Sequence, residues 1–176
     1  EVVEIAKGLR MQVRGVDLVK RLKGLEYMSL PAGILWADVV VCSLPLTSKT
    51  QGILNYRIFC RTRTRKRPGI IFVNISRGEV SPMKDLNRLL KEGILGGVGL
   101  DVFEGESLLA EALRKGQKLK PPLGKFFRAL QQKENVILTP HNAFNTYEST
   151  ERKAQQSIVA VRQFLENGTF PDPVPL

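Results

Sequence analysis

The sequence predicts a doubly wound α/β fold, in which helices flank both sides of a parallel sheet. Short apolar segments such as 37–42 and 70–74 alternate along the chain with segments whose apolar residues have helical spacing. Strands that are apolar almost throughout are typical of a parallel sheet buried on both faces. Because parallel neighbours need a crossover connection, usually a helix, the alternation and the apolar strands support the same fold class.

Helices and strands are predicted in turn along the chain. Helical spacing indicates helices over 2–9, 26–36, 84–91 and 147–167. Strands are predicted over 11–16, 37–42, 70–74, 97–102 and 135–139. A further helix containing the basic residues of 57–67 precedes the third strand, and Gly93 and Gly168 are predicted helix stops. A Lys- and Pro-containing insertion, 104–134, separates the last two strands.

The composition fits a single globular domain with a sizeable core, since 43% of the residues are hydrophobic and 25% are charged. The net charge is +10, but six cations lie between Arg57 and Arg67, and the rest of the chain carries only +4. A short basic run indicates a local patch rather than a globally basic binding surface. No aromatic residues are interleaved to stack on bases, so a solvated stretch is favoured over a nucleic-acid site.

Cysteine and histidine usage excludes a disulfide scaffold and a Cys/His zinc site. The chain has two cysteines, Cys42 and Cys60, and one histidine, which is too few for a zinc ligand set. The most apolar stretch, 30–46, is broken by prolines and an aspartate, so no membrane span is predicted. A soluble, cytoplasmic protein from a reducing compartment is therefore expected.

Polar side chains follow the predicted strands, at the edge where parallel sheets bind their ligands. In chain order they are Asp17, Ser43, Asn74 with Arg77, Asp101 with Glu106, and His141. An acid after one strand is ordinary. An arginine, several carboxylates and the single histidine at successive strand ends indicate a binding or catalytic site.

Each of these residues also has an ordinary explanation. His141 follows a Thr-Pro pair, and a lone histidine is as often structural as catalytic. Arg77 alone is typical of a surface arginine, and the following Gly78 can permit a tight turn. Glu106 lies in a Glu-Gly-Glu sequence that is typical of a solvated loop, and Asp17 can simply form a turn.

Together, Arg77, Glu106 and His141 fit one chemistry. A planar guanidinium binds a carboxylate through paired hydrogen bonds. An imidazole transfers a proton near neutral pH, and a neighbouring carboxylate orients it. Reduction of a 2-keto acid needs these groups when a nicotinamide supplies the hydride. With one histidine in the chain, proton transfer is assigned to His141 unless a Lys, Tyr or carboxylate replaces it.

Several segments carry a resemblance to a known family. They are Ala37–Thr47 (ADVVVCSLPLT), Asn74–Gly78 (NISRG), Gly99–Glu106 (GLDVFEGE) and Thr139–Ala143 (TPHNA). In order and spacing they resemble the nucleotide-binding, Rossmann-like domain of the NAD-dependent D-2-hydroxyacid dehydrogenases, over almost the whole chain. The long stretch between Glu106 and His141 is most similar to the D-lactate dehydrogenase branch.

The resemblance implies a role for each candidate residue. Arg77 would bind the substrate carboxylate and carbonyl, and His141, paired with Glu106, would be the general acid in reduction and the general base in oxidation. The implied cofactor contacts are Asp17 at the adenosine ribose, Leu44 and Pro45 at the adenine, Ile75 and Ala143 near the nicotinamide, and Asp101 at its carboxamide side. An acid after the second strand of such a fold repels a 2′-phosphate, so NAD is expected rather than NADP.

The chain also departs from the family pattern. Glu1 falls inside the helix that follows the family's glycine-rich loop, so the first strand, the G-x-G-x-x-G loop and the substrate domain are expected to be missing. A single partial NAD-binding domain, 1–176, with a gap in its sheet is expected, and it should bind NAD weakly and turn over little in isolation. The run Arg57–Arg67 adds about four residues to the family pattern.

The expected activity is interconversion of a small 2-keto acid and a D-2-hydroxy acid by a homodimer that binds neither membrane nor nucleic acid. The alternative is a non-catalytic NAD-sensing or corepressor-like relative that binds proteins. The presence of Arg77, Glu106 and His141 favours the enzyme, because a sensor needs the cofactor contacts but not the acid-base pair.

Overall fold

The structure, a computed structural model, describes residues 1–62 and 69–171. The chain forms two compact units, Glu1–Pro140 and His141–Leu176. The predicted fold class is confirmed, because the first unit contains parallel strands with helices between them. The expectation of one partial domain over 1–176 stays a prediction.

The first unit begins with a small parallel sheet. Helix α1 (Val2–Gly8) precedes strand β1 (Arg14–Gly15), which pairs in parallel with strand β2 (Glu26–Tyr27). Helix α2 (Leu30–Trp36) follows. The predicted helix over 26–36 is therefore wrong at its start. Ser29 caps α2 by accepting a hydrogen bond from the Ala32 backbone N–H at 3.4 Å, and a proline near the first turn fixes the start.

The larger sheet has four parallel strands in sequence order: β3 (Val39–Cys42), β4 (Ile70–Asn74), β5 (Leu95–Leu100) and β6 (Val136–Leu138). Their last residues are in register, Cys42 with Asn74, Asn74 with Leu100, and Leu100 with Leu138. The strand ends therefore lie along one edge, the carboxyl edge. The expected gap is present, since β1 and β3 belong to separate sheets.

Further helices of the first unit connect these strands. They are α3 (Tyr56–Phe59), which continues as a 3₁₀ turn to Thr62, α4 (Met83–Lys91), α5 (Glu106–Arg114) and α6 (Leu123–Gln131). The predicted insertion over 104–134 thus contains two helices. The predicted helix at the basic run is confirmed only as far as Thr62, because residues 63–68 lie outside the described part of the chain.

One face of the sheet carries the buried core of the first unit. On that face Phe72 is fully buried and meets the Phe59 ring edge-on, with 5.4 Å between ring centroids. Leu86 and Leu89 of α4 and Leu130 of α6 complete this core. The other face carries partly exposed side chains, namely Val39, Val41, Ile71 and Ile137. The structure confirms burial of the face that α4 and α6 cover, and burial of the other face stays a prediction.

The second unit is dominated by one long helix, α7 (Tyr147–Asn167). The Thr146 hydroxyl accepts a hydrogen bond from the Ser149 backbone N–H at 3.2 Å, and Gly168 ends the helix in the left-handed conformation, φ +71°. The predicted bounds and stop are confirmed. None of the helices in the described residues combines the length and apolar character that crossing a bilayer requires.

We expect Leu89→Ala to lower the free energy of unfolding by about 3 kcal/mol, because it leaves a cavity in the packed face. Leu89 is fully buried in α4, whereas Leu113 in α5 is 69% exposed. The matched change Leu113→Ala should cost less than about 0.5 kcal/mol. Urea denaturation of both variants measures the difference, and equal losses would contradict the burial of Leu89 in this core.

Candidate functional site at the carboxyl edge

Asn74, the last residue of β4, holds the carboxyl edge together. Its side chain is fully buried. Its Oδ1 accepts hydrogen bonds from the backbone N–H and the hydroxyl of Ser76, at 3.0 and 2.9 Å. Its Nδ2 donates to the Arg77 carbonyl at 3.0 Å and to the Ser81 hydroxyl at 2.8 Å. The Asn74 amide therefore fixes the loop that carries Arg77 to the end of the strand.

Gly78 brings this loop against the segment that leads to Glu106. A Cβ at position 78 would overlap the backbone of Phe103 and Glu104. The glycine is therefore required for the close approach of two backbones, since its φ lies outside the left-handed range. From the sequence, Gly78 was expected only to permit a tight turn, and this close approach was not anticipated.

The candidate residues Arg77 and Glu106 differ in their surroundings. Arg77 is exposed, and its Nη1 donates to the Ser76 carbonyl at 2.7 Å, which restrains the side chain. Glu106 is the half-buried first residue of α5, and its Oε1 accepts from the Phe103 backbone N–H at 2.9 Å. The ordinary interpretation of Glu106 as a solvated loop carboxylate is therefore wrong.

Asp101, directly after β5, is 5% exposed. Its Oδ1 accepts a hydrogen bond from the Thr139 hydroxyl at 2.6 Å, and its backbone N–H donates to the Asn74 carbonyl at 3.0 Å. The carboxylate is therefore oriented by the end of β6 and tied to Asn74. Sequence reasoning missed Thr139 as a partner, although a buried acid needs a donor and this threonine directly follows β6.

The remaining candidate cofactor contacts of the first unit follow β1, β3 and β4. Asp17, just after β1, is exposed, and its Oδ1 accepts from the Val19 backbone N–H at 3.2 Å, so it does form a turn. Leu44 is half-buried and Pro45 exposed, both just after β3. Ile75 follows β4, half-buried, and its backbone N–H donates to the Cys42 carbonyl at 3.2 Å.

His141 and Ala143 belong to the second unit. His141 is half-buried and has a positive φ of 51°, which is uncommon for a residue with a side chain. Its ring meets Phe144 edge-on, with 5.7 Å between centroids. Ala143 is exposed. A strained backbone at the single histidine is typical of residues whose orientation matters for function.

Sequence reasoning also missed two contacts that support this edge. The Glu104 carboxylate accepts from the Met83 backbone N–H at 2.9 Å and so caps α4. The loop after β3 is tied to the Arg77 loop, since Gly52 donates through its backbone N–H to the Glu79 carbonyl at 2.8 Å. The sequence did contain a signal for Glu104, because it is the acid of the GLDVFEGE motif to which no role was assigned.

The first unit is thus an α/β domain with charged groups fixed along the carboxyl ends of its strands, where this class of fold binds ligands. Residues 1–143 match the family "D-isomer specific 2-hydroxyacid dehydrogenase, NAD binding domain". The chain belongs to this family, and the resemblance found in the sequence is confirmed. NAD, the expected cofactor, is confirmed as the cofactor of the family's domain.

The individual relatives include D-lactate dehydrogenases, which are the branch predicted from the sequence, and glyoxylate reductases. The chain is 33% identical over 155 residues to a glyoxylate reductase of Pyrococcus furiosus, covering 85% of this chain and 40% of that protein. It is 27% identical over 170 residues to a D-lactate dehydrogenase of Lactiplantibacillus plantarum, covering 94% and 49%. The chain therefore spans about half the length of the relatives it matches.

A solved structure shows the same arrangement of elements. The D-lactate dehydrogenase of Aquifex aeolicus, complexed with NAD and lactic acid, matches with a TM-score of 0.81 and 29% identity. The match covers 98% of this chain and 54% of that one. The match to this D-lactate dehydrogenase therefore spans nearly the whole chain, including the insertion over 104–134.

The donor set of the first unit fits such a dinucleotide. Asp17 presents an exposed carboxylate, as hydroxyl recognition requires, and Leu44 and Pro45 supply an apolar surface for a base. The buried and oriented carboxylate of Asp101 can accept from an amide. These residues would hold the cofactor along the carboxyl edge.

We expect Gly78→Ala to destabilise the protein by about 3 kcal/mol or to displace the Arg77 loop, because the new methyl group has no space between two backbones. Gly8, at the end of α1, serves as the matched glycine, since a methyl group added there would have no atom within 4 Å. Thermal unfolding of Gly78→Ala and Gly8→Ala makes the comparison. An unperturbed Gly78→Ala would show that the two backbones are not in close contact.

We expect Asn74→Asp to lower the free energy of unfolding by about 3 kcal/mol, because a carboxylate oxygen would replace the amide donor that faces the Arg77 carbonyl. Asn135 is the control, since it is exposed and donates one hydrogen bond, to the Gly96 carbonyl at 2.8 Å. Asn135→Asp should cost less than about 1 kcal/mol. Chemical denaturation distinguishes the two, and similar losses would count against Asn74 as the residue that fixes the loop.

Proposed function

We propose that the protein containing this chain is an NAD-dependent oxidoreductase that interconverts a small 2-keto acid and the corresponding D-2-hydroxy acid. Family membership supports the reaction class. The observation that carries the proposal is the close backbone approach at Gly78, which joins the loop of Arg77 to the segment leading to Glu106. A cation and a carboxylate from different strands thus share one rigid edge.

In this proposal Arg77 binds the carboxylate of the substrate. A guanidinium has several donors in one plane, and Arg77 uses Nη1 on the Ser76 carbonyl, which leaves donors for a bidentate contact with an incoming anion. The exposed position of the side chain allows substrate to reach it. Its contact with Ser76 also limits the rotamers that must be fixed when substrate binds.

The proton is carried by His141 in this proposal. In reduction its imidazolium donates a proton to the substrate carbonyl oxygen, and in oxidation the neutral ring removes the hydroxyl proton. Glu106, anchored on the Phe103 backbone, would stabilise the protonated ring and set its orientation. A bound nicotinamide supplies or accepts the hydride.

The cofactor-binding assignments belong to the same proposal. Asp17 would bind the adenosine ribose, Leu44 and Pro45 the adenine side, and Asp101 the carboxamide side, with Ile75 and Ala143 beside the nicotinamide. The buried position of Asp101 and its contact with Thr139 support a fixed polar anchor rather than a mobile surface acid. The proposal also includes a homodimer and a cytoplasmic location, which only the family resemblance supports.

The test is NADH oxidation with pyruvate and a panel of longer 2-keto acids, measured on the protein that contains this chain. We expect His141→Ala to lower kcat by about a thousandfold while the Kd for NADH stays unchanged, because proton transfer is lost and cofactor contacts are kept. We expect Arg77→Lys to raise KM by about a hundredfold, because a lysine cannot make the bidentate contact.

Arg152→Lys is the matched control for Arg77→Lys. Arg152 is an exposed arginine of α7 with no role in the proposed reaction, so its substitution should leave kcat and KM unchanged. A protein that binds NADH but turns over none of the acids would reject the dehydrogenase and support a sensor. Full activity of His141→Ala would reject the assignment of the acid-base residue alone.

A further inference from the structure

Three helices of the first unit, α3, α4 and α6, form one layer over the larger sheet. Helix α4 contacts α3, because the Tyr56 backbone N–H donates to Asp85 Oδ2 at 3.0 Å. It also contacts α6, since Asn87 Nδ2 donates to the Phe126 carbonyl at 2.9 Å. Buried residues of all three helices belong to the same core. The solvent sides of the three helices therefore lie next to one another.

These solvent sides carry a set of exposed cations, which we call the basic face. Along each helix the cations are three, four or seven residues apart, so they share the side that faces away from the core. The set consists of Arg57 and Arg61 of α3 and its 3₁₀ turn, Lys84 and Lys91 of α4, and Lys125 and Arg128 of α6. Because packed helices lie about 8–10 Å apart, the three rows extend over roughly 20 Å.

Few acids balance the basic face. Within the described residues, none of its six cations forms an ion pair. Helices α3 and α6 contain no acid, and the carboxylate of Asp85 in α4 accepts from the Tyr56 backbone. Glu92, directly after α4, pairs with Arg88 at 2.9 Å. Helix α7, for comparison, contains three cations and three acids. The excess of positive charge is therefore a property of this layer.

Helix stability does not explain these cations. Lys84 and Lys125 lie in the first turns of α4 and α6. The helix dipole favours acids in a first turn and disfavours cations. Unpaired like charges on neighbouring helices also repel one another, which opposes the compact state. An anionic partner would remove both costs.

We propose that the basic face binds the phosphate backbone of a nucleic-acid duplex without reading its base sequence. A duplex carries one negative charge per about 1.7 Å of its axis, so a surface roughly 20 Å wide meets several phosphates at once. Lysine and arginine side chains supply contacts of this kind, which position a protein on a duplex but carry no sequence information. The six cations are separate from the residues assigned to substrate and cofactor.

The folded chain changes the interpretation of the basic run Arg57–Arg67. Considered alone, the run has no interleaved aromatic residues, and a solvated stretch was favoured over a nucleic-acid site. The structure places Arg57 and Arg61 in the same layer as cations of α4 and α6, which lie far along the chain. The proposal depends only on these described residues.

The side chains of the layer favour a duplex over other anionic partners. In α3, α4 and α6, all of whose residues are described, no large apolar side chain is exposed. A membrane or an acidic protein would gain from such side chains, by insertion or as interface anchors. A single strand would gain from aromatic rings that stack on bases, but Phe126 and Phe127 pack against the core. A uniformly charged surface fits the duplex backbone.

The first experiment measures fluorescence anisotropy of a labelled DNA duplex of about 20 base pairs, titrated with the protein that contains this chain. Two duplexes of unrelated sequence are compared. We expect saturable binding, with Kd values that agree within about twofold and rise steeply with salt concentration. A preference of more than about tenfold for one sequence would overturn recognition of the backbone alone.

A triple variant, Lys84→Glu with Lys91→Glu and Lys125→Glu, tests the basic face. At about 100 mM salt it should raise the Kd at least about thirtyfold, because three phosphate contacts become repulsive. The slope of log Kd against log salt should fall by about three, since each phosphate-contacting lysine contributes about one.

The control variant changes three exposed lysines outside the layer by the same charge, Lys7→Glu with Lys20→Glu and Lys23→Glu. It should raise the Kd less than about threefold, because the Debye length is about 10 Å at this salt concentration. Thermal unfolding checks that both variants are folded. Equal weakening by the two variants would show attraction by the overall charge and overturn the proposal.

Lysine acetylation by acetic anhydride, read by mass spectrometry, tests the same surface without any substitution. When about 80% of the protein is bound to duplex, Lys84, Lys91 and Lys125 should react about fivefold more slowly, because only the free fraction is accessible. Lys7 and Lys23 should react at unchanged rates. Protection of all five lysines, or of none, would overturn the assignment to the basic face even if the triple variant failed to fold.

Other partners are outcomes of the same titrations. Tighter binding to vesicles of phosphatidylcholine with about 30% phosphatidylserine would show that the face binds a membrane surface. Tighter binding to a single strand of the same length would overturn the duplex, as would the absence of any binding at about 100 mM salt. None of these measurements depends on dehydrogenase activity, so a failure here is distinct from a failure of the proposed function.

Discussion

The buried side chain of Asn74 is the interaction on which the carboxyl edge depends. It lies where β4 ends, and its amide contacts the Ser76 backbone and hydroxyl, the Arg77 carbonyl and the Ser81 hydroxyl. Its backbone carbonyl accepts from Asp101, so the same residue ties β5 to this loop. A fully buried amide must find partners for both of its polar atoms, and this requirement allows one loop conformation. The loop geometry is therefore set by hydrogen bonding rather than by apolar packing.

Rigid backbone and accessible side chains are combined at this edge. Gly78 lets the Arg77 loop press against Phe103 and Glu104, while the Arg77 side chain itself stays exposed. The Glu104 carboxylate caps α4 and the Glu106 carboxylate accepts from the Phe103 backbone at the start of α5, so neighbouring acids anchor different elements of this edge. Preorganised charged groups lose little conformational entropy on binding. The edge thus combines a fixed backbone with an exposed guanidinium.

The sequence by itself determined the strands at 70–74 and 135–139, helix α7 with its stop at Gly168, and which polar residues follow each strand. These features depend on neighbours along the chain, where apolar spacing and capping residues act directly. Tertiary structure alone decided the start of α2, which face of the sheet α4 and α6 cover, and the role of Gly78. Apolar residues on both faces of a strand do not reveal which face a helix covers, and the need for glycine at position 78 comes from a backbone far along the chain, at Phe103. Contacts between residues distant in sequence leave no local pattern, so they became visible only in the folded chain.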